Sequence, residues 1–332
     1  MERETQALFT DQILQEGACR FGVNADELNY IGAWQNFIYE YSKDGESYIL
    51  RFTPSSHRSE ADVVAELDWI LYLAQHDVLV SSPIQSNQGK LTEVIPSGES
   101  HYFTVTSFNK AKGEKIGYPE CLGDIKLYQQ MGRLTGKIHA LTKKYQPGVS
   151  VRRHNWEDNY YLKSVGLYVP HEQRLVHEQC VALAKEIRDT LPVNSNSFGL
   201  IHGDINTANF HVHENDITLF DFDEAQYSWF VEDIAIPLYY LVYVYGDDVQ
   251  EQRVTQAQLF MEHYLQGYVL ECSVDDYWLK QIPLFLRLRE IIVYTGMHRS
   301  TDVTQLDQWG LDYISQSKAR IENRTPIVDI WN

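Results

Sequence analysis

What the chain lacks narrows it first. Only four cysteines occur in 332 residues (Cys19, Cys121, Cys180 and Cys272), and no two share a C-x-x-C or other ligand spacing. That excludes a disulfide framework and reads as reduced, individually buried thiols of a cytosolic protein. Long apolar runs are missing too. The longest candidate, "AIPLYYLVYVY", is too short to span a bilayer and carries Pro237. The opening "MERETQALFTDQIL" is charged and has no apolar segment of the secretory-signal kind. Basic residues are scarce: 28 Lys and Arg stand against 46 Asp and Glu, a net charge of −18. Gripping nucleic acid by its phosphates needs clustered Lys and Arg, so no nucleic-acid partner is expected, and no membrane partner either. An acidic surface of this kind serves mainly solubility.

What is present divides along the chain. In the first third, "NFIYEYS" and "SYILRF" alternate apolar and polar residues around Asp44-Gly45, a hairpin-turn pair. Val63, Leu67, Ile70, Leu71 and Ala74 then mark one face of a helix, and Ser59 with Asp62 forms a capping-box start. Short strands separated by Gly-containing turns follow up to Phe108. Strand, strand, helix and further strands make a small α+β lobe over 1–108. After a polar, Gly-containing linker, "NKAKGEKIGYPECLGD", the chain turns helical. Leu127, Met131, Leu134, Ile138 and Leu141 define an amphipathic helix, and four later segments share its texture, so 109–332 reads as a larger helical lobe.

One stretch breaks that helical texture: "FGLIHGDINTANFHVHENDITLFDFDEAQ", residues 198–226. An apolar strand, "FGLI", enters the loop "HGDINTAN", and a hairpin, "FHVH" and "ITLFDF" about "ENDI", leaves it. Asp204 and Asn209 thus share a loop, and Asp221 closes the hairpin's second strand. Phosphoryl transfer needs such a set, because its charged transition state is stabilised chiefly by positioning and by cations. Mg²⁺ takes hard oxygen ligands, which Asp221 and the Asn209 amide oxygen would supply, and Asp204 would orient an acceptor hydroxyl and take its proton. The spacing H-x-D-x-x-x-x-N is that of the kinase catalytic loop, with Gly203 where arginine is usual. His211 and His213 also share a strand face, but with no third ligand they read as a solvated face.

"HGDINTAN" followed by "LFDFDEA" and "VEDIAIPLY" resembles the aminoglycoside phosphotransferase/choline kinase family of small-molecule kinases. "YILRFTPSSHRSEADVVAELDWILYLAQHDVLV" is similar to that family's third strand and following helix, and "MGRLTGKIHAL" to its first large-lobe helix. The resemblance spans about Ile31 to Arg299. It implies a protein-kinase-like two-lobe fold, ATP and Mg²⁺ as cofactors, and transfer of the γ-phosphate to a hydroxyl of a small, amino-containing metabolite. It further implies Asp204 as catalytic base with His202 bracing its loop, Asn209 and Asp221 as metal ligands, and Asp233 as the anchor of the loop.

The sequence departs from the family pattern in places. Arg51 stands where kinases carry a strand lysine, and Glu66 is its expected helix partner, both serving the nucleotide phosphates. The phosphate-covering loop "IGAWQN" has one glycine, so Gly32 and Asn36 are its expected nucleotide contacts, with Trp34 either closing over the site or packing. Asp223 replaces the last glycine of D-F-G; it is expected among the metal ligands, with a turn-capping role as the alternative. Trp156, Glu157, Asp158, Tyr160 and Trp229 would suit an ammonium group on the acceptor. Two rivals stay open: a nucleotide-binding regulator without turnover, and a protein Ser/Thr kinase. The second is disfavoured because only about ten residues separate Asp221 from "EDIA", too few for an activation segment.

Overall fold

The computed structural model describes residues 3–148, 150 and 152–331. The chain divides into two units. The first comprises Met1–Lys112, Tyr145–Arg153 and Thr218–Asp223; the second comprises Gly113–Lys144, His154–Ile217 and Glu224–Asn332.

In the first unit two helices, α1 (Arg3–Leu8) and α2 (Asp11–Arg20), precede β1 (Asn29–Ala33), β2 (Phe37–Lys43) and β3 (Glu46–Pro54). Helix α3 (Glu60–Gln75), β4 (Pro83–Ile84), β5 (Glu93–Ser97) and β6 (His101–Asn109) follow. The strands form one antiparallel sheet in the order β1-β2-β3-β6-β4, with β5 on β6. The expected β2–β3 turn is present: Asp44 and Gly45 both take positive φ, the requirement of the tight hairpin turn. The α3 capping box is present as well, with the Ser59 Oγ accepting the Asp62 N–H and the Asp62 carboxylate accepting the Ser59 N–H. Side chains alternate across β3. Leu50 and Phe52 enter a core with Ile13, Phe21, Phe37, Ile95 and Phe103, while Arg51, on the other face, meets α3. Phe9 seals that core by stacking on Phe37 with centroids 3.9 Å apart.

The second unit begins with α4 (Ile125–Thr142). The short helices α5 (Tyr160–Lys163) and α6 (Val165–Tyr168) lead to α7 (Arg174–Thr190) and β7 (Phe198–Ile201). Strands β8 (Phe210–His213) and β9 (Asp216–Leu219) pair as the expected hairpin, turning at Glu214 with φ 56°. Then come β10 (Gln226–Trp229), α8 (Phe230–Val242), α9 (Gln250–Tyr268), α10 (Asp276–Leu279), α11 (Ile282–Ser300) and α12 (Gln308–Asn323). Helix α4 buries Leu127, Met131 and Ile138 as its periodicity predicts, whereas Leu134 and Leu141 are half-buried. The reason is its glycines. A Cβ on Gly132 would lie 1.9 Å from the Tyr264 carbonyl oxygen, and one on Gly267 would lie 1.9 Å from that of Gln129. Backbone-to-backbone approach of α4 and α9 therefore shifts the buried stripe toward the glycine face.

Two features were not read from the sequence. "QYSW" is a strand, β10, paired antiparallel with β7 from Gln226↔Ile201 to Trp229↔Phe198. The segment "DDYWLKQIPLFLRLREIIVYTGMHRS" is two helices, interrupted before α11, whose first turn accommodates Pro283.

Candidate active site

In the first unit the expected Arg51–Glu66 pair is formed. Arg51 Nη1 and Nη2 donate to the two Glu66 carboxylate oxygens at 2.8 and 2.9 Å, a bidentate fork, and the guanidinium lies 5.0 Å from the Phe108 ring centroid. Both residues are buried. Burial alone would lower the Arg51 pKa; Glu66, then Asp223 and Asp221, more than offset it. The Arg51 Nε has no hydrogen-bond partner among the described residues, and neither does the buried Asn36 Oδ1. Gly32 lies in β1 at a register shift, and a Cβ there would meet nothing but the Trp34 indole, at 3.8 Å. Trp34 is 77 % exposed, so it does not pack in this structure.

Asp221 is exposed and takes φ 63°, two residues past the end of β9. Asp223 lies two residues further on. Its carboxylate is buried, with His57 Nε2 2.6 Å from Oδ2 and Arg58 Nε 3.7 Å from Oδ1. Its carbonyl oxygen accepts from Arg58 Nη2 at 3.0 Å and from Arg153. Burial would raise the Asp223 pKa, but His57 and Arg58 hold it well below the usual carboxylate range. His57 and Arg58 flank this carboxylate, whose Oδ1 has no hydrogen-bond partner among the described residues, and the residue anchors the chain after β9. His57, Arg58 and Arg153 had no motif to announce them.

In the second unit the loop 202–209 is pinned by Asp233 and by hydrogen bonds of its own. Asp233, near the start of α8, accepts the His202 and Gly203 N–H groups, each at 2.8 Å, as the resemblance implied. Burial would raise the Asp233 pKa; the His139 hydrogen bond and these loop contacts lower it overall. His202 accepts the Asp204 N–H at Nδ1, 3.2 Å away. Asn206 donates to the Asp204 carbonyl at 3.0 Å and accepts from Ala208 N–H at 2.8 Å. Gly203 explains the missing kinase arginine: φ is +79°, and a Cβ would lie 2.4 Å from the Glu224 carbonyl oxygen.

Asp204 and Asn209 are brought together. Asn209 Nδ2 donates to the Asp204 Oδ2 at 2.8 Å and to its carbonyl at 2.9 Å. Arg289, from α11, donates to the Asp204 Oδ1. Burial raises the Asp204 pKa, with Arg289 and His202 opposing. Arg289 escaped the sequence reading; its one signal was a charged Arg-Glu step inside the apolar run "LFLRLREII". The side chains expected at the acceptor are bonded or packed within the protein. Trp156 and Trp229 are buried 5.7 Å apart, and the Trp229 indole donates to the Pro192 carbonyl. Glu157 pairs with Arg188 and Asp158 with Lys163, while the Tyr160 hydroxyl bonds that of Tyr168. They are core and surface groups.

A pinned loop carrying a paired aspartate and asparagine meets its relatives here: residues 31–268 match the phosphotransferase enzyme family. The chain belongs to that family. It is 34% identical over 318 residues to the amicoumacin kinase of Bacillus subtilis strain 168, covering 96% of this chain and 93% of that one. A solved amicoumacin kinase, in complex with AMP-PNP, Ca²⁺ and Ami, superposes with a TM-score of 0.90 at 32% identity over 99% of this chain and 98% of the other. Spectinomycin phosphotransferase, at 15% identity and a TM-score of 0.55 over 91% of this chain and 93% of the other, shares the fold. The fold is thus the protein-kinase-like α+β one, and the activity that of an ATP-dependent small-molecule phosphotransferase acting on hydroxyl groups. Among the described residues no helix is long and apolar enough to cross a membrane.

Proposed function

We propose that the chain phosphorylates a hydroxyl of amicoumacin, or of a molecule like it, with ATP and Mg²⁺ in the cytoplasm. The observation that carries the chemistry is the rigid loop 202–209, on which Asp233 holds the backbone and Asn209 holds the Asp204 carboxylate at 2.8 Å. The acceptor class rests on similarity running nearly end to end with the Bacillus kinase.

The residues fit both cofactors. Asp221 offers an exposed carboxylate and Asn209 an amide oxygen, hard donors of the kind a small divalent ion takes. Bound there, the ion would supply positive charge against the phosphates. In the first unit the unpartnered Arg51 Nε and the open space above Gly32 suit a phosphate chain. In this assignment Arg51 donates to phosphate oxygens with Glu66 fixing its fork, and backbone near Gly32 and Asn36 covers them. Asp204 receives the acceptor's hydroxyl proton, and His202 braces its backbone. Asp223 anchors the chain beside His57 and Arg58. We assign the lobes to 1–108 for the nucleotide and 109–332 for the acceptor.

ADP release and phosphoryl gain by mass spectrometry test this, with amicoumacin, choline, homoserine and an aminoglycoside as acceptors. Turnover of amicoumacin above the others is expected. Asp221→Ala should abolish magnesium-dependent nucleotide binding, whereas Asp204→Ala should bind nucleotide and fail to transfer, losing about 10²–10⁴ in rate. Nucleotide binding with no acceptor turned over would instead favour the regulator without chemistry.

A further inference from the structure

Helices α8 and α11 each present two neighbouring side chains to different surroundings. Tyr240 and Arg289 serve the catalytic loop; Tyr239 and Glu290 serve α12. Arg289 Nη2 donates to the Asp204 Oδ1 and, at 2.7 Å, to the Tyr240 hydroxyl, while Nη1 donates to the Gly203 carbonyl at 3.2 Å. Its guanidinium lies 4.9 Å from the Tyr240 ring centroid. On the other side Glu290 accepts from Arg320 Nε and Nη2 at 3.0 and 2.8 Å and from the Tyr239 hydroxyl at 3.4 Å, and Tyr239 bonds Tyr313. Arg289, Glu290 and Arg320 are all buried. The family model matches residues 31–268, so Arg289 and the α12 groups behind it lie beyond the stretch it covers.

A buried guanidinium is costly to desolvate, and this one leaves its Nε without a partner among the described residues. The return is geometric. The terminal torsion of an aspartate is broad and two-fold, so one hydrogen bond leaves its carboxylate free to swing. Here both oxygens are held, Oδ2 by Asn209 and Oδ1 by Arg289. Each carboxylate oxygen accepts two hydrogen bonds, so one lone pair on each stays open for the acceptor's hydroxyl. We propose that Arg289, steadied by Tyr240, is a positioning residue that fixes the direction of the Asp204 carboxylate for the transfer step. The proposal rests on the assignment of Asp204 as proton acceptor. In that step the hydroxyl proton passes to Asp204, the hydroxyl oxygen bonds the γ-phosphorus, and the bond to the departing ADP oxygen breaks.

The test uses the full chain with ATP and amicoumacin, comparing Arg289→Lys, Tyr240→Phe, Asp204→Asn and the double variant Asp204→Asn/Arg289→Lys. Arg289→Lys should lower kcat about tenfold while changing the KM for ATP less than about twofold, and Tyr240→Phe should lower kcat about threefold. In the Asp204→Asn background, Arg289→Lys should cost less than about a further twofold, because there is no base left to aim. A merely structural arginine would give the same loss in both backgrounds, with ATP affinity and melting temperature falling together; that result overturns the proposal. Full activity of Arg289→Lys beside an inactive Asp204→Asn also overturns it, while leaving the base assignment standing. Wild-type turnover by Asp204→Asn removes the base assignment and the positioning role with it.

Discussion

Two pairs of buried carboxylates, one pair in each unit, are stabilised by different means. In the first, Glu66 takes the Arg51 fork, and Asp223 sits between His57 and Arg58. In the second, Asp233 is held by two backbone N–H groups and the His139 imidazole, and Glu232 by Ser228 and by Gln226 at 3.0 Å, with no Lys or Arg hydrogen-bonded to either among the described residues. The consequences separate in proton affinity. Asp223 falls well below its ordinary value; Glu232 is pushed up to about 7, burial outweighing Ser228, the next largest influence. Full charges keep a buried carboxylate ionised, two directed N–H dipoles and an imidazole suffice for Asp233, and neutral side-chain donors alone do not suffice for Glu232.

The largest expected effect breaks the dipole half of that comparison. Asp233→Ala leaves two buried N–H groups without an acceptor and should cost about 3–5 kcal/mol in a chemical unfolding experiment. A loss below about 1 kcal/mol would mean that water replaces the carboxylate and that the loop does not depend on it. Next comes pH. Because the folded state raises Glu232 from 4.5 to about 7, its contribution is full below the ordinary value and is lost as pH rises through about 7. The displacement corresponds to about 3 kcal/mol. Asp223 and Asp233 carry the opposite sign: their contributions are present at neutral pH and are lost in acid, below their ordinary values. The stability difference between wild type and Glu232→Gln should therefore shift toward the variant between pH 5 and pH 8, and a constant difference would contradict the assignment. The smallest effect sharpens the ionic half. Arg51→Lys keeps the charge opposite Glu66 but loses the fork, so the KM for ATP should rise about tenfold with little change in melting temperature. Unchanged KM would reduce Arg51 to a bulk charge.

Much of the site was legible because its parts are local in sequence. The spacing from His202 to Asn209 fits within one loop, and the strand before it and the hairpin after it follow from alternation. Asp233 follows shortly after, at a helix start where its carboxylate meets the loop's N–H groups. What escaped was non-local. Arg289 meets Asp204 across 85 positions, and Arg153 meets Asp223 across 70. A single arginine inside an apolar helix carries no sign of the carboxylate it will face. Trp229 misled for a related reason: an aromatic beside acidic residues reads as a cation site until β10 pairs with β7 and buries it.

By itself the amino-acid sequence determined the elements, the catalytic-loop spacing and the kind of reaction, since these depend on periodicity, turn chemistry and residues close along the chain. Tertiary structure alone decided which charges are already spent. Asp223 is flanked by His57 and Arg58 within its own unit, Gly203 is required by a neighbouring carbonyl, and the Asp204 carboxylate is bonded by an arginine from a distant helix. Burial and pairing set the free energy of a charge, and both are properties of neighbours in space.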